Sequence, residues 1–215
     1  MQNMIQAGYA GSLLPVNPKY ETIYGHKTLS SITKAQTEID LAVIATPIAL
    51  VPDLVDDCVQ AGVKAAIIIS AGGKETGAEG QKIEERILER ARKGKLRILG
   101  PNCLGVINPR SAVMLNASFA RAMPAAGNIA FLSQSGALCT AVLDYAQGKN
   151  VGFSKFVSLG NKADVDEVDL LEYFAADPDT SVILMYHEEA SRGHKLIKVA
   201  RRITWRPDVG GMGWQ

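Results

Sequence analysis

The sequence predicts an α/β protein whose sheets are built from parallel strands. Short apolar runs, each the length of a buried strand, recur along the chain at 40–45, 64–70, 96–99 and 128–132. Segments with helical apolar spacing lie between them, for example at 50–61 and 80–93. A helix between successive buried strands is typical of right-handed crossovers, which place the strands parallel in one sheet.

The first half of the chain is predicted to form one such unit. In order we expect a strand at 12–16, a short helical piece at 30–35, a strand at 40–45, a helix at 50–61, a strand at 64–70, a helix at 80–93 and a strand at 96–99. Pro52 fits the first turn of its helix, where a missing N–H costs nothing. A dinucleotide-type unit begins with a strand and a glycine-rich turn, which we expect to be missing before residue 1.

A second, smaller unit is predicted after a connector. Residues 114–126 contain no periodic pattern, so we interpret them as an irregular link and place the domain boundary between residues 123 and 124. We then expect strands at 128–132, 155–159 and 182–186, alternating with helices at 136–147, 165–176 and 192–202. Residues 205–215 have neither periodicity nor turn chemistry and are predicted to be a ragged end.

Composition excludes several classes of function. The chain has 23 basic and 22 acidic residues, which gives no basic surface for nucleic acid or an anionic membrane. No apolar run reaches the length of a membrane span. The three cysteines, Cys58, Cys103 and Cys139, are too few and too irregularly spaced for a disulfide framework or a metal site. We therefore expect a cytoplasmic protein that binds no metal through its own residues.

The stretch from Ser133 to Ala137 is a candidate phosphate site. The strand predicted at 128–132 breaks at Ser133, Ser135 is a candidate helix cap, and the next helix is predicted to begin with Gly136 and Ala137. The first backbone N–H groups of a helix have no intrahelical acceptor, and the helix dipole adds partial positive charge there. Such a strand-to-helix turn suits a phosphoryl group. On this stretch alone, an ordinary capped helix is the more common explanation of the same residues.

The first unit offers a second candidate site. Ligands of open parallel sheets bind beyond the carboxyl ends of the strands, where this chain places Lys19, Pro47, Ser70, Asn102 and Cys103. An NAD site usually has an acidic residue where Lys19 lies. A cation there suits a phosphorylated ribose, as in NADP or coenzyme A, although a solvated lysine in a turn explains it too. Residue chemistry alone does not separate the two cofactors.

Several motifs in fixed order carry a resemblance to a known family. The segments PVNPKYETIYGHK, DLAVIATP, ILGPNCLGVINP, IAFLSQSGAL and SLGNKADVDEVDLLEYFAADP closely resemble the NDP-forming acyl-CoA synthetases. These include ADP-forming acetyl-CoA synthetases and, more distantly, the α subunit of succinyl-CoA synthetase and regions of protein lysine acetyltransferases. The resemblance implies a Rossmann-like CoA-binding domain over 1–123 and a flavodoxin-like CoA-ligase domain over 124–215, both parallel-sheet and both incomplete.

The resemblance also implies a reaction, acyl-CoA + ADP + phosphate ⇌ acid + CoA + ATP, through an acyl phosphate and a phosphohistidine. It implies that Lys19, Pro47 and Ser70 contact coenzyme A and that Asn102 and Cys103 lie near its thiol. Four residues would hold the phosphoryl group: Ser133, Ser135, Gly136 and Ala137. Glu188 would orient the phosphohistidine. ADP or ATP with Mg²⁺ would bind a separate nucleotide-grasp module, the acid would be a small carboxylate, and the assembly would be oligomeric.

The family histidine has no counterpart in this sequence. His26, His187 and His194 occupy other positions, and the chain leaves the family pattern from Trp205. We therefore expect the chain alone to be inactive, as a sequence truncated at both ends would be. Two further hypotheses stay open: a CoA-binding regulatory region of a protein lysine acetyltransferase and, on Lys19 alone, an NADP-dependent reductase.

Overall fold

The computed structural model describes residues 1–190 and 192–204. In chain order its helices and strands are α1 (Gln2–Ala7), β1 (Thr22–Ile23), β2 (His26–Lys27), β3 (Leu41–Ile44), α2 (Val51–Gln60), β4 (Ala65–Ile68), α3 (Ala78–Lys93), β5 (Arg97–Leu99), β6 (Gly105–Asn108), β7 (Leu115–Ser118), β8 (Ala126–Ser133), α4 (Gly136–Lys149), β9 (Phe153–Ser158), α5 (Glu167–Ala176), β10 (Val182–Tyr186) and α6 (Gly193–Thr204). The predicted α/β class is confirmed. The predicted ragged end at 205–215 lies outside the described residues.

The first sheet has the strand order β3-β4-β5, and all of its pairs are parallel. Its core is formed by strand residues such as Ile68 and Ile98, against Val55 of α2 and Ile87 of α3, all fully buried. The strand predicted at 12–16 is wrong. In that stretch the structure has a single bridge from Val16 to Leu29, and its alternate residues stay partly exposed.

The second sheet has the order β10-β8-β9-β6-β7. Strands β10, β8 and β9 are parallel, whereas β6 and β7 form an antiparallel hairpin whose first strand pairs with β9. The hairpin corrects the prediction that 114–126 is irregular and adds antiparallel strands to a sheet expected to be parallel. Strand β7 has a weak sequence pattern because Asn116 is buried and accepts a hydrogen bond from Ser118, 2.6 Å away. The predicted boundary between residues 123 and 124 stays a prediction.

The two sheets are joined along a seam. The chain after β9 runs beside β5, where the N–H groups of Asn161, Ala163 and Val165 donate to the carbonyls of Pro101, Gly100 and Ile98 at 2.9–3.0 Å. Gly160 begins the seam with φ +58°, and a Cβ there would collide with the carbonyl oxygens of Pro101 and Asn102. The close approach therefore requires glycine and fixes the end of β9 against the loop after β5.

The two sheets also share a core. Ile67 and Leu99 of the first sheet pack in one cluster with Leu132, Val157 and Phe174 of the second. A second cluster contains Phe131 and Phe156, whose rings stack at 4.7 Å. Because apolar burial runs through both sheets, the carboxyl ends of their strands hold fixed relative positions. Within the described part of the chain, no helix is long and apolar enough to span a bilayer.

Candidate functional site

The turn from β8 to α4 is stabilised by its own hydroxyl groups. Ser133 is fully buried, and its Oγ accepts from the N–H of Ser135 at 3.1 Å while donating to the carbonyl of Ser135 at 3.0 Å. Ser135 is the N-cap of α4, since its Oγ accepts from the N–H of Leu138 at 3.2 Å. Both serines therefore shape the turn, which leaves the following backbone amides to face outward.

Gly136 and Ala137 provide the open donors of this turn. In the described part of the chain, neither N–H has a hydrogen-bond acceptor. A Cβ built on Gly136 meets nothing within 4 Å, so the space beside it is open. Both amides lie at the positive end of a helix that runs to Lys149. The arrangement can bind an anion through backbone N–H groups.

Glu188 lies beside this turn through a contact that sequence analysis missed. Gln134 stands between the two serines, and its N–H donates to the carbonyl of Tyr186 at 3.0 Å. Its Oε1 accepts from the N–H of Glu188 at 3.0 Å and of Glu189 at 3.4 Å. The side chain of Gln134 therefore ties the loop after β10 to the start of α4, with Glu188 exposed on the surface.

The carboxyl ends of the first sheet are linked to each other and to the second sheet. Ser70 Oγ donates to the carbonyl of Thr46 at 2.5 Å, and the N–H of Asn102 donates to the carbonyl of Ser70 at 2.9 Å. Asn102 Nδ2 donates to Asn161 Oδ1 at 3.3 Å. In the described residues Thr46 Oγ1 is buried without a hydrogen-bond partner. This hydroxyl lies at the end of β3, next to Pro47.

The turn from β8 to α4 (residues 133–137, here called the phosphate turn) and the loop after β5 that contains Asn102 (the Asn102 loop) are neighbours. The N–H of Leu159 donates to the carbonyl of Ser133 at 2.8 Å, and the N–H of Leu104 donates to Ser158 Oγ at 3.0 Å. The end of β9 thus lies between the two candidate sites and contacts both. The structure therefore brings Ser70, Asn102, Ser133 and their neighbours to one side of the molecule.

The acidic side chains beside Asn102 accept hydrogen bonds from within the protein. Asn161 Nδ2 donates to Glu75 Oε2 at 2.5 Å and to buried Glu84, which also accepts from the N–H of Lys74 at 2.8 Å. Burial raises the pKa of Glu75, but donors from Asn161 and Gly72 outweigh it and leave that pKa lowered. These carboxylates therefore have partners in the protein before any ligand arrives.

The remaining predicted residues differ in placement. Lys19 and Pro47 are exposed, and the N–H of Lys19 donates to Asn17 Oδ1 at 2.9 Å in an Asx turn. Cys103 is 2% exposed, its Sγ donates to the carbonyl of Ile68, and burial raises its pKa to about 12. Its thiol thus faces the interior, and only its backbone belongs to the loop. That Cys103 lies near the coenzyme thiol stays a prediction.

These features define a class of protein: two fused α/β units that place a helix start with open backbone amides beside the carboxyl edge of a parallel sheet. Comparison with known families makes the class specific. Residues 1–109 match the model described as a CoA binding domain. Residues 126–209 match the model described as the succinyl-CoA ligase like flavodoxin domain. The chain belongs to the NDP-forming acyl-CoA synthetase family, and the resemblance found in its motifs is confirmed.

Individual relatives agree with this assignment. The chain is 46% identical over 201 residues to acetate–CoA ligase [ADP-forming] I of Archaeoglobus fulgidus, covering 94% of this chain and 29% of the relative. It is 41% identical to the α subunit of acetate–CoA ligase [ADP-forming] I of Pyrococcus furiosus, covering 97% and 46%. The chain therefore spans less than half the length of either curated relative.

Solved structures show the same fold. The apo acetyl-coenzyme A synthetase 1 of Ca. Korarchaeum cryptofilum superposes with a TM-score of 0.89 at 40% identity, covering 94% of this chain and 44% of that one. The same synthetase in complex with phosphate and ADP gives the same TM-score and identity, covering 43% of that chain. The proteins named here are acid–CoA ligases, which favours the ligase hypothesis over the acetyltransferase and reductase hypotheses.

Proposed function

We propose that this chain supplies the CoA-binding and phosphate-binding parts of an ADP-forming acid–CoA ligase. The observation that carries the proposal is the junction at Gln134, which holds the open amides of Gly136 and Ala137 beside the loop of Glu188. In a member of this family, that junction joins an anion-binding helix start to a carboxylate that can orient a histidine. Residues 1–123 would bind coenzyme A and residues 124–215 the phosphoryl group.

The phosphate half works by prearranged donors. Ser133 and Ser135 hold the turn, and the amides of Gly136 and Ala137 donate to phosphoryl oxygens without first giving up another acceptor. Donors fixed before the reaction need no reorganisation as charge shifts onto the oxygens. A phosphoryl group placed there also gains from the dipole of α4.

The coenzyme half has polar groups suited to coenzyme A. Lys19 is an exposed cation for a coenzyme phosphate, and the buried hydroxyl of Thr46 lacks a partner among the described residues. Pro47, Ser70 and Asn102 line the same strand ends. When bound, coenzyme A supplies the thiol that is acylated. The role of the chain is to hold that cofactor next to the phosphate turn.

Glu188 is the proposed orienting carboxylate. An exposed carboxylate that accepts from one imidazole nitrogen fixes the tautomer and leaves the other nitrogen free to attack phosphorus. The histidine and the nucleotide-grasp module, which holds ADP or ATP with Mg²⁺, would come from another segment or subunit. The acid would be a small carboxylic acid, and the assembly oligomeric and cytoplasmic. The chain alone would not turn over.

Calorimetry of the chain against coenzyme A and against NADP tests the first half of the proposal. We expect binding of coenzyme A and none of NADP; the reverse would overturn the ligase assignment.

The second half of the proposal is tested in a reconstituted complex, in which this chain is mixed with the histidine-bearing and nucleotide-grasp regions of a homologous ligase. We expect acid-dependent and CoA-dependent ATP turnover, and labelled phosphate on a histidine of the chain alone would refute its predicted inactivity.

A further inference from the structure

A buried ion pair lies directly behind the loop of Glu188. The side chains of Lys162 and Glu167 are 1% and 0% exposed, and Lys162 Nζ is 3.1 Å from Glu167 Oε2. Within the part of the chain that the structure describes, neither oxygen of Glu167 has a hydrogen-bond partner. The carboxylate therefore depends on the charge of Lys162, and the pair is held in a dry environment.

The ammonium of Lys162 has a second contact, on another segment. Lys162 Nζ donates to the backbone carbonyl of Glu189, the residue after Glu188. The same loop is held by the side chain of Gln134 on the N–H groups of Glu188 and Glu189. A third contact joins Glu189 to Lys74 of the first unit at 3.1 Å, which lowers the pKa of Glu189. The backbone at Glu188 and Glu189 is thus fixed on both its N–H and its carbonyl side.

A second buried ion pair, between β9 and the end of α5, serves as a comparison. Lys155 Nζ lies 2.7 Å from Asp177 Oδ2, with side chains 8% and 7% exposed. Asp177 also accepts from Thr180 Oγ1 at 2.8 Å, so this carboxylate has a second hydrogen-bond donor only three residues away. No contact among the described residues joins Lys155 to the loop at 187–190. Only the Lys162 pair, of these two, reaches that loop.

Burial of an ion pair is weak evidence for stabilisation, because desolvation offsets much of the attraction. Stability alone therefore does not explain why this pair is buried, and its contact with the loop of Glu188 indicates another role. We propose that Lys162 is a positioning residue: Glu167 holds its ammonium in place, and the ammonium fixes the carbonyl of Glu189 and so the direction of Glu188. The effect on Glu188 in the reaction rests on the proposed function. The claim that Lys162 holds the backbone at Glu189 in place does not depend on it.

Hydrogen exchange of the chain tests the structural part. The variants are Lys162→Met, the double variant Lys162→Met/Glu167→Gln, and the matched control Lys155→Met/Asp177→Asn. The double variant leaves no unpaired buried charge, so it folds even where Lys162→Met alone does not. We expect the amides of Glu188 and Glu189 to exchange about tenfold faster in the double variant, because a charge-assisted hydrogen bond to the loop is lost. In the control those amides keep their wild-type rate.

Two exchange results would overturn the proposal. One is an unchanged rate at Glu188 and Glu189 in the double variant. The other is faster exchange spread over β8 and β9 as well, which is the result of a merely structural role.

Kinetics in the reconstituted complex test the functional part. For the double variant we expect kcat to fall about tenfold while the KM for coenzyme A stays at its wild-type value, because the positioned group acts on the phosphoryl step. Equal loss in the control, or an unchanged kcat, would overturn the positioning role. A wild-type complex without any turnover would sink the proposed function instead, and the exchange experiment would still decide what Lys162 does to the loop.

Discussion

The two ends of the parallel strands differ sharply in chemistry. At the amino ends, near Ala65 and Arg97, the two sheets flank an open cavity of about 300 Å³ lined mainly by apolar side chains such as Leu41 and Phe174. At the carboxyl ends the same strands lead to Ser70, Asn102 and other polar loop residues joined by hydrogen bonds. None of the predicted site residues lines the cavity.

This difference indicates that the amino ends of the strands contribute mainly to stability and the carboxyl ends mainly to ligand binding. Apolar residues at the amino ends hold the sheets together, so changes there should alter the free energy of unfolding and leave ligand affinity alone. At the carboxyl ends, changes to exposed polar residues such as Lys19 and Glu188 should do the opposite. The following predictions test this division, from the largest expected effect to the smallest.

Phe174→Ala should have the largest effect, on stability alone. The ring is 1% exposed and lies in the core shared by the two sheets. Its removal should lower the free energy of unfolding by about 3–5 kcal/mol, measured by urea denaturation. Tyr173→Ala, on the same helix but 56% exposed, should cost about 1 kcal/mol or less. A large fall in CoA affinity of the folded Phe174→Ala protein would contradict the division.

Glu188→Gln should act only on the reaction. We expect phosphorylation of the histidine in the reconstituted complex to slow about a hundredfold, or about 2.7 kcal/mol in the barrier. The carboxylate is exposed, so the unfolding midpoint should stay unchanged. Glu172→Gln on α5 is the control for a lost charge. Full activity of the Glu188 variant would remove this residue from the mechanism.

Asp166→Asn should destabilise the start of α5 in a pH-dependent way. Burial raises the pKa of Asp166, but hydrogen bonds from Arg192 and from the N–H groups of Asp169 and Val168 outweigh it and leave the pKa lowered. A lowered pKa contributes stability above the unfolded-state value near 4, and this stability is lost as pH falls through the folded-state value.

The substitution should therefore cost about 2 kcal/mol at pH 7, since Asp166 also caps α5. The cost should shrink as the pH falls below about 4, measured as the difference in urea midpoints between variant and parent. Exposed Asp144→Asn should show no such trend. A cost that is constant with pH would mean that the ionised carboxylate is not what stabilises the start of α5.

Lys19→Ala should have the smallest effect. If Lys19 contacts a coenzyme phosphate as proposed, loss of this exposed cation should weaken CoA binding about tenfold, or about 1.4 kcal/mol. Lys27→Ala, an exposed lysine on the neighbouring β2, should leave the affinity unchanged. Calorimetry at low salt gives the comparison. Equal effects of the two substitutions would show that Lys19 acts only through net charge.

Much of the architecture follows from local pattern. The strands at β3, β4 and β10 and the helices α2 and α5 lie within a few residues of their predicted bounds, because each has a strong apolar period and a clear end signal. The hairpin of β6 and β7 was missed, since the buried polar residue Asn116 hides its alternation. The strand expected at 12–16 has the apolar composition of a strand but pairs only at Val16.

The candidate site was predictable in part. The turn at Ser133–Ala137 has a recognisable strand-to-helix signature, and the motif order identified the family. Gln134 and Lys162 were not predictable as site residues, because their roles depend on contacts with residues 54 and 27 positions away. Spacing along a chain gives no information on such contacts. The only indication in the sequence was that Gln134 and Lys162 are polar residues inside the family motifs SQSG and GNKAD.

The central claim is that the start of α4 binds a phosphoryl group. The direct measurement is a titration of the ¹⁵N-labelled chain with inorganic phosphate, followed by amide chemical shifts. The account predicts saturable shifts centred on Gly136 and Ala137, with smaller ones at Glu188 through Gln134, and none around the cavity at Leu41 and Arg97. Shifts absent from Gly136 and Ala137, or largest elsewhere, would contradict it.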